Sequence, residues 1–260
     1  MKFENPEITT SKIETTERTR ERLRELQPLL KPLLENESEK LRGRGFPVGA
    51  DGRLLPEEYK GIYRPEEITN DLRKVRLLES KYREEEGKPI GDLLEVAKTL
   101  AFNRFWFGGR LIAVRASKYD DYFNGVDEII FDAETFQSLA AIDTTVNPLS
   151  SFGEEGKRET DKILKKVRSG AKMKYGAGIS RDGVKKQSHD KLPILIVTIE
   201  LQKLIQLAKD LVSGAASDES KILENEVIKS LRIQSDSFQD LVDSELRLVY
   251  QKTEAIFKEL

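Results

Sequence analysis

A chain of 260 residues with 38% hydrophobic and 35% charged side chains carries enough apolar matter for one large packed core or two small ones. Forty-four Lys and Arg against 46 Asp and Glu leave a net charge of −2, so no long-range field draws in nucleic acid or anionic membrane, and any polyanion site must be a local patch. The lack of cysteine excludes disulfides, thiolate zinc and cysteine nucleophiles, and a lone histidine, His189, excludes multi-histidine metal sites. Chemistry must run on carboxylates, lysines and hydroxyls. The first residues, MKFENPEITT, hold no apolar stretch, and no run approaches the roughly 20 apolar residues that span a bilayer. The expectation is a cytoplasmic, unprocessed chain that no membrane holds.

From Thr10 to about Arg42, leucines at helical spacing interrupted by Pro28 and Pro32 predict a kinked or two-piece helix. The glycines and prolines of 42–63 read as a loop joining this arm to the rest. Pro65, followed by Glu66 and Glu67, opens a polar helix that runs to Glu86 and stops at Gly87. Between Gly91 and Trp106, Leu93, Leu94, Ala97, Leu100, Ala101 and Phe105 give a broad apolar face suited to packing on a sheet. The period then changes. RLIAVRAS (110–117), VDEIIFD (126–132) and SLAAIDTTV (138–146) are short, β-branched and turn-bounded, so they predict an antiparallel three-strand meander. A charged helix follows over 153–170, and AKMKYGAGI and KLPILIVTIE (191–200) read as further strands, with a hairpin turn at RDG. The last of these is apolar on both faces and is expected at the centre of the sheet. Residues 201–260 are helical, with a break at 213–218.

Two carboxylates terminate neighbouring strands of the meander. Asp127 opens the second, and Asp143 follows the apolar run LAAI in the third. An unpaired carboxylate buried there costs several kcal/mol, so a cation or a donor has to meet it. Magnesium suits such a place, because it takes hard oxygen ligands, keeps several waters and needs only one or two protein carboxylates. The other reading is structural: an Asp at a strand end accepts hydrogen bonds from turn amides, and Asp127 follows Asn124-Gly125. Asp120 and Asp121 lie just upstream, and the loop carrying them either presents extra ligands or caps a turn. The aromatic and basic stretch NRFWFGGR (103–110) suits either stacking on bases or packing of a helix end into the core.

At these residues the chain resembles the PD-(D/E)xK nuclease superfamily, whose core runs helix, three-stranded meander, helix, strand. GVD at 125–127 looks like the PD step with Asp127 as its acid. IDTT at 142–145 looks like the (D/E)xK step with Asp143 as its acid, and Glu95 of GDLLE is similar to the acid of the first helix. The resemblance covers roughly residues 88–200 and implies one or two magnesium or manganese ions held by Glu95, Asp127 and Asp143. The family's lysine position falls on Thr145, a departure, since a hydroxyl supplies no fixed charge to orient water. Lys172 and Lys174, alternating along AKMKYG, are the replacements expected from the sequence, with Lys162, Lys165 and Lys166 of the preceding helix as weaker ones. YDDYFNGVDEIIFD followed by AAIDTTVN is also similar to a group of bacterial proteins without an assigned activity.

The sequence thus predicts an α/β (α+β) fold: a central mixed sheet of four or five strands flanked by helices, like a restriction-endonuclease core. A helical arm and linker (1–63) precede the core (64–200), and a helical extension (201–260) follows it. The expected function is magnesium-dependent phosphodiester hydrolysis on nucleic acid, with Asp121 and Thr145 as accessory groups. The competing expectation is an inactive nuclease-like core that binds or assembles, with itself among other partners, through the helical extensions.

Overall fold

The computed structural model describes the backbone of residues 6–81, 88–145, 154–180 and 183–260. The chain opens with one long helix, α1 (Pro6–Gly43), rather than two pieces. Pro28 and Pro32 both face solvent, where the carbonyls left unbonded by a missing N–H find water, so the helix survives them. The stretch after it, read as a linker, is folded into the body. Phe46, Val48 and Leu54 are buried, Phe46 stacks edge-on against Phe131 at 5.0 Å, and Leu54 N donates to Arg115 O at 3.0 Å.

Helix α2 (Pro65–Lys81) starts at the expected proline, and the sequence-predicted end at Glu86 and Gly87 lies outside the described residues. Helix α3 (Lys88–Arg104) follows, then strand β1 (Leu111–Arg115), a short helix α4 (Lys118–Asn124), and strands β2 (Glu128–Asp132) and β3 (Ser138–Thr145). After helix α5 (Glu154–Ser169) come β4 (Ala171–Ser180), β5 (Gly183–Leu192) and β6 (Ile194–Thr198). Helices α6 (Leu201–Ser213), α7 (Asp218–Ser237) and α8 (Ser244–Glu259) complete the chain.

The main sheet is mixed, in the order β1-β2-β3-β6, while β4 and β5 form a separate antiparallel ribbon. β1, β2 and β3 run antiparallel to one another and β6 runs parallel to β3. Strand β6 lies at the edge of the sheet, not at its centre as its apolarity suggested. Its free edge is covered by side chains instead of a strand. The Gln234 amide accepts from Ile196 N at 2.7 Å and donates to Ile196 O at 2.8 Å, while the Tyr250 hydroxyl bonds both Ile194 N and Ile194 O at 3.0 Å. Satisfied in this way, an edge strand can be buried on both faces and read as a central one.

One hydrophobic cluster runs through all three sequence regions, from Leu23, Leu30 and Leu34 of α1, through Leu100 and Ile130, to Leu207 and Tyr250. Alternation along β3 sets the two faces of the sheet. Thr144 meets Lys98 of α3, and Asp143 meets Lys166 of α5, so these helices cover opposite faces. Phe105, Trp106 and Phe107 of the aromatic stretch pack into this core with Phe102. Among the described residues no helix is long and apolar enough to cross a membrane.

Candidate active site

The ends of β2 and β3 meet α3, α4 and α5 at one corner of the sheet. Ser117 caps α4, accepting from Asp120 N at 3.1 Å, and Gly125 ends the helix in the left-handed conformation at φ 63°. Seven helical residues therefore stand where the sequence suggested a loop, and they separate the two acids. Asp120 is fully buried and structural: it accepts from Ser117, Asn124 and the amides of Lys174 and Tyr175, which ties α4 to β4. Asp121 turns the other way and accepts from Arg53 Nη1 at 3.0 Å.

Asp127 precedes β2 and lies beside Asp143 across the β2–β3 ladder, since Glu128 pairs with Ile142. Its Oδ2 accepts from Thr144 N at 2.6 Å, so the carboxylate continues the sheet where the β2 backbone stops. The donor is thus an amide of the neighbouring strand rather than of the Asn124-Gly125 turn raised from sequence. Asp127 is 9% exposed, and burial, together with the charges of Glu95, Asp143 and Asp121, outweighs nearby Lys98 and pushes its carboxyl up to about 7. Asp143 receives Lys166 Nζ at 2.5 Å, and the same ammonium reaches Gly125 O at 3.3 Å.

Glu95 is held differently. Arg53 Nη2 and Arg115 Nη2 both donate to its Oε2, at 2.6 and 2.7 Å. Burial acts to raise its carboxyl, but the two guanidinia win and hold it below the ordinary carboxylate range. One turn along α3, the fully buried Lys98 faces Glu128 Oε2 at 3.1 Å and donates to Thr144 Oγ1, while Thr99 donates to Glu128 Oε1. In this group Arg53, Lys98, Arg115 and Lys166 face five carboxylates: Glu95, Asp121, Asp127, Glu128 and Asp143. Asp127 is the member of this group whose hydrogen bond comes from a backbone amide, Thr144 N, rather than from a cation.

Of the lysines expected at the site, Lys174 is committed elsewhere. Its ammonium is bonded to Glu67 at 2.5 Å and Asp71 at 2.6 Å and lies 4.8 Å from the centre of the Tyr63 ring. Lys172 is exposed on β4, and the side chain of Thr145 lies outside the described residues. The cation that does meet Asp143 is Lys166, from α5. Sequence reasoning missed Arg53 and Arg115 as partners of Glu95, because an arginine in a glycine-rich loop and one at a strand end carry no local signal of sharing a carboxylate 42 and 20 positions away.

A cleft of about 680 Å³ opens beside this cluster, between α1, the loop after it, α3 and α4. Arg53 and Arg115 form part of its wall with Asp121 and Tyr122, and Lys31 and Lys118 stand on it as well. Among the described residues, no three carboxylate or imidazole groups converge closely enough, as the side chains stand, to enclose a metal ion. No protein-family model matches this chain, nor does any curated protein or solved structure.

Proposed function

We propose that this chain is a divergent PD-(D/E)xK-like nuclease that binds magnesium or manganese at Asp127 and Asp143 and hydrolyses phosphodiester bonds in nucleic acid. The observation that carries the reading is Asp127: a buried carboxylate beside Asp143, near Glu95, with one amide donor and a carboxyl pushed up to about 7. A carboxyl that resists ionising, first because it is desolvated and then because Glu95, Asp143 and Asp121 add negative charge around it, is one that a hard divalent cation relieves. The donors available are all oxygens, which suits magnesium and gives soft metals no ligand. Element order agrees in outline, since a helix, an antiparallel meander, a helix and a strand parallel to the third strand occur in that sequence, with α4 inserted between β1 and β2 and the β4–β5 ribbon between α5 and β6.

In this arrangement Asp127 and Asp143 would hold the ion, and Thr144 N keeps the Asp127 carboxylate in place. Lys166, bonded to Asp143, is the cation that would orient a nucleophilic water in place of the lysine that the motif lacks. The bound metal supplies Lewis acidity and lowers the pKa of its water. Glu128 and Lys98 form the buried support beneath, and truncating either leaves an unpaired buried charge.

The test is cleavage of labelled DNA and RNA in magnesium or manganese by wild type, Asp127→Asn and Asp143→Asn. Loss of metal-dependent cleavage in both variants supports the reading, and intact cleavage removes it. A second reading, a binding or assembly protein on an inactive nuclease-like core, is favoured by the engagement of Glu95 with two arginines rather than with a cation site. That reading predicts no cleavage by wild type and no melting shift with metal.

A further inference from the structure

Residues 161–172 carry five cations, Lys162, Lys165, Lys166, Arg168 and Lys172, against one acid, Asp161, a local excess of four in a chain of net charge −2. Lys166 meets Asp143, and the other four stand in solvent at the end of α5 and the start of β4. Lys162 precedes Lys166 by one turn of helix, and Lys162, Lys165 and Arg168 follow at three-residue steps, so they form one row on the helix surface. A depression bordered by Lys165 and Arg168 runs beside it. Among the described residues none of these four cations has a carboxylate within ion-pair distance, whereas Lys191, across the ribbon from the start of β4, is held by Asp243 and Glu245. The α5 side is also where the strand-end acids are open, since the side chain of Asp143 is 24% exposed. The cleft between α1, α3 and α4 lies on the α3 side, with the ion pairs of Glu95.

Resting on the reading of Asp127 and Asp143 as the hydrolytic site, we propose that Lys162, Lys165 and Arg168, continued by Lys172, are the track on which a nucleic-acid strand lies as it reaches that site from the α5 side of the sheet. Solvated cations without carboxylate partners keep their charge for phosphate, and a strand that meets them releases its counterions. From Lys162 to Arg168 the helix rises about 9 Å, which matches about two to three phosphates of one strand at about 3.4 Å of axis each. Lys166, one turn from Lys162, joins the track to Asp143. Contacts of this kind position a backbone without reading bases, so the track accepts DNA and RNA of any sequence. A membrane surface is the poorer fit: Val167 is buried and Ile163 packs on the core, so α5 has no apolar face left to insert among lipids. Cations in a last helical turn also suit the helix dipole, but that role acts on stability and leaves affinity for a polyanion unchanged.

The experiment is fluorescence anisotropy of fluorescein-labelled oligonucleotides, a duplex DNA and a single-stranded RNA, titrated with the full chain in chelator at several salt concentrations. In the double variant Lys165→Gln/Arg168→Gln, affinity at low salt is expected to fall about 10-fold or more. The slope of log affinity against log salt is expected to shrink by about 2 on the duplex. Asp161→Asn, which removes the acid beside the row, is expected to bind about 2-fold tighter or more. All three positions are exposed, and melting curves check that the variants fold. Should the double variant melt too low to assay, Lys162→Gln decides, with a slope smaller by about 1. A folded variant of wild-type affinity and slope overturns the track. So does a wild type that binds neither oligonucleotide, whether or not it sediments with phosphatidylserine vesicles. Failure of the hydrolytic reading has a separate signature: wild type then cleaves nothing in magnesium or manganese, while the double variant still loses affinity.

Discussion

Asp127 concentrates the electrostatics of the corner. Its carboxyl is pushed up to about 7 in the folded chain, above the ordinary carboxylate value, so the group favours the folded state when protonated. This contribution is complete in acid and is lost as pH rises through about 7, with an upper bound of about 4 kcal/mol at 1.36 kcal/mol per unit. In chelator, Asp127→Asn is therefore expected to melt higher than wild type well above neutrality and to match it near pH 4, because the Asn carbonyl still accepts from Thr144 N. Thermal melts across pH check this, and an Asn variant that melts lower at every pH contradicts it. The same linkage makes magnesium affinity in wild type rise with pH up to about 7. Lys166→Ala is expected to reduce metal-dependent turnover by about 100-fold or more. As a partly exposed ion pair, Lys166–Asp143 contributes only about 1 kcal/mol or less to stability, so the melt of this variant changes little. At the residue scale the acids Asp127 and Asp143 were legible, because an Asp ending an apolar strand is conspicuous in sequence. Their cationic partner was not, since the three helix lysines 162, 165 and 166 differ only in phase, and that phase depends on how α5 docks.

Elements decide how those side chains meet. Gly125 closes α4 at φ 63°, where its N–H bonds the carbonyls of Asp120 and Asp121, and a Cβ there would stand 2.6 Å from Lys166 Nζ. Gly125→Ala is thus expected to cost about 1–2 kcal/mol for the left-handed backbone and to push the Lys166 ammonium off Gly125 O and Asp143. Melting and turnover measured together test this, and a stable variant of unchanged activity contradicts the placement of Lys166. The meander was readable from sequence because β1, β2 and β3 alternate short β-branched runs with turn residues, and the Asp132 carboxylate caps the β2–β3 turn through Glu134 N and Thr135 N. Helix α4 was not readable, since KYDDYFN carries no apolar period and is held by the Ser117 cap and the burial of Asp120 against β4. The position of β6 misled for a related reason. Local apolarity reports that a strand is covered, not what covers it, and here Gln234 and Tyr250 arrive from helices about 40 to 55 residues downstream.

On the scale of the molecule, the arm and the extension are parts of the body that builds the site. Helix α1 contributes Leu23, Leu30 and Leu34 to the common core and one wall of the cleft, and the loop after it delivers Arg53 to Glu95. Removing residues 1–63 is accordingly expected to abolish cooperative unfolding rather than free an active core, and Leu30→Ala to cost about 2–5 kcal/mol for a fully buried leucine. Denaturant unfolding followed by circular dichroism reads both, and a truncated chain with a wild-type transition contradicts the single core. The long-range packing of the two terminal regions left no mark in the sequence beyond amphipathic helices, which state that a face is buried but not against what. The central claim is that Asp127 and Asp143 hold a divalent cation, and its most direct measurement is the melting midpoint of the full chain against magnesium concentration, wild type beside Asp143→Asn. A midpoint that climbs with the logarithm of magnesium in wild type and stays flat in the variant is the predicted result. A wild-type midpoint that does not move at millimolar magnesium, or one that moves equally in both proteins, contradicts the claim.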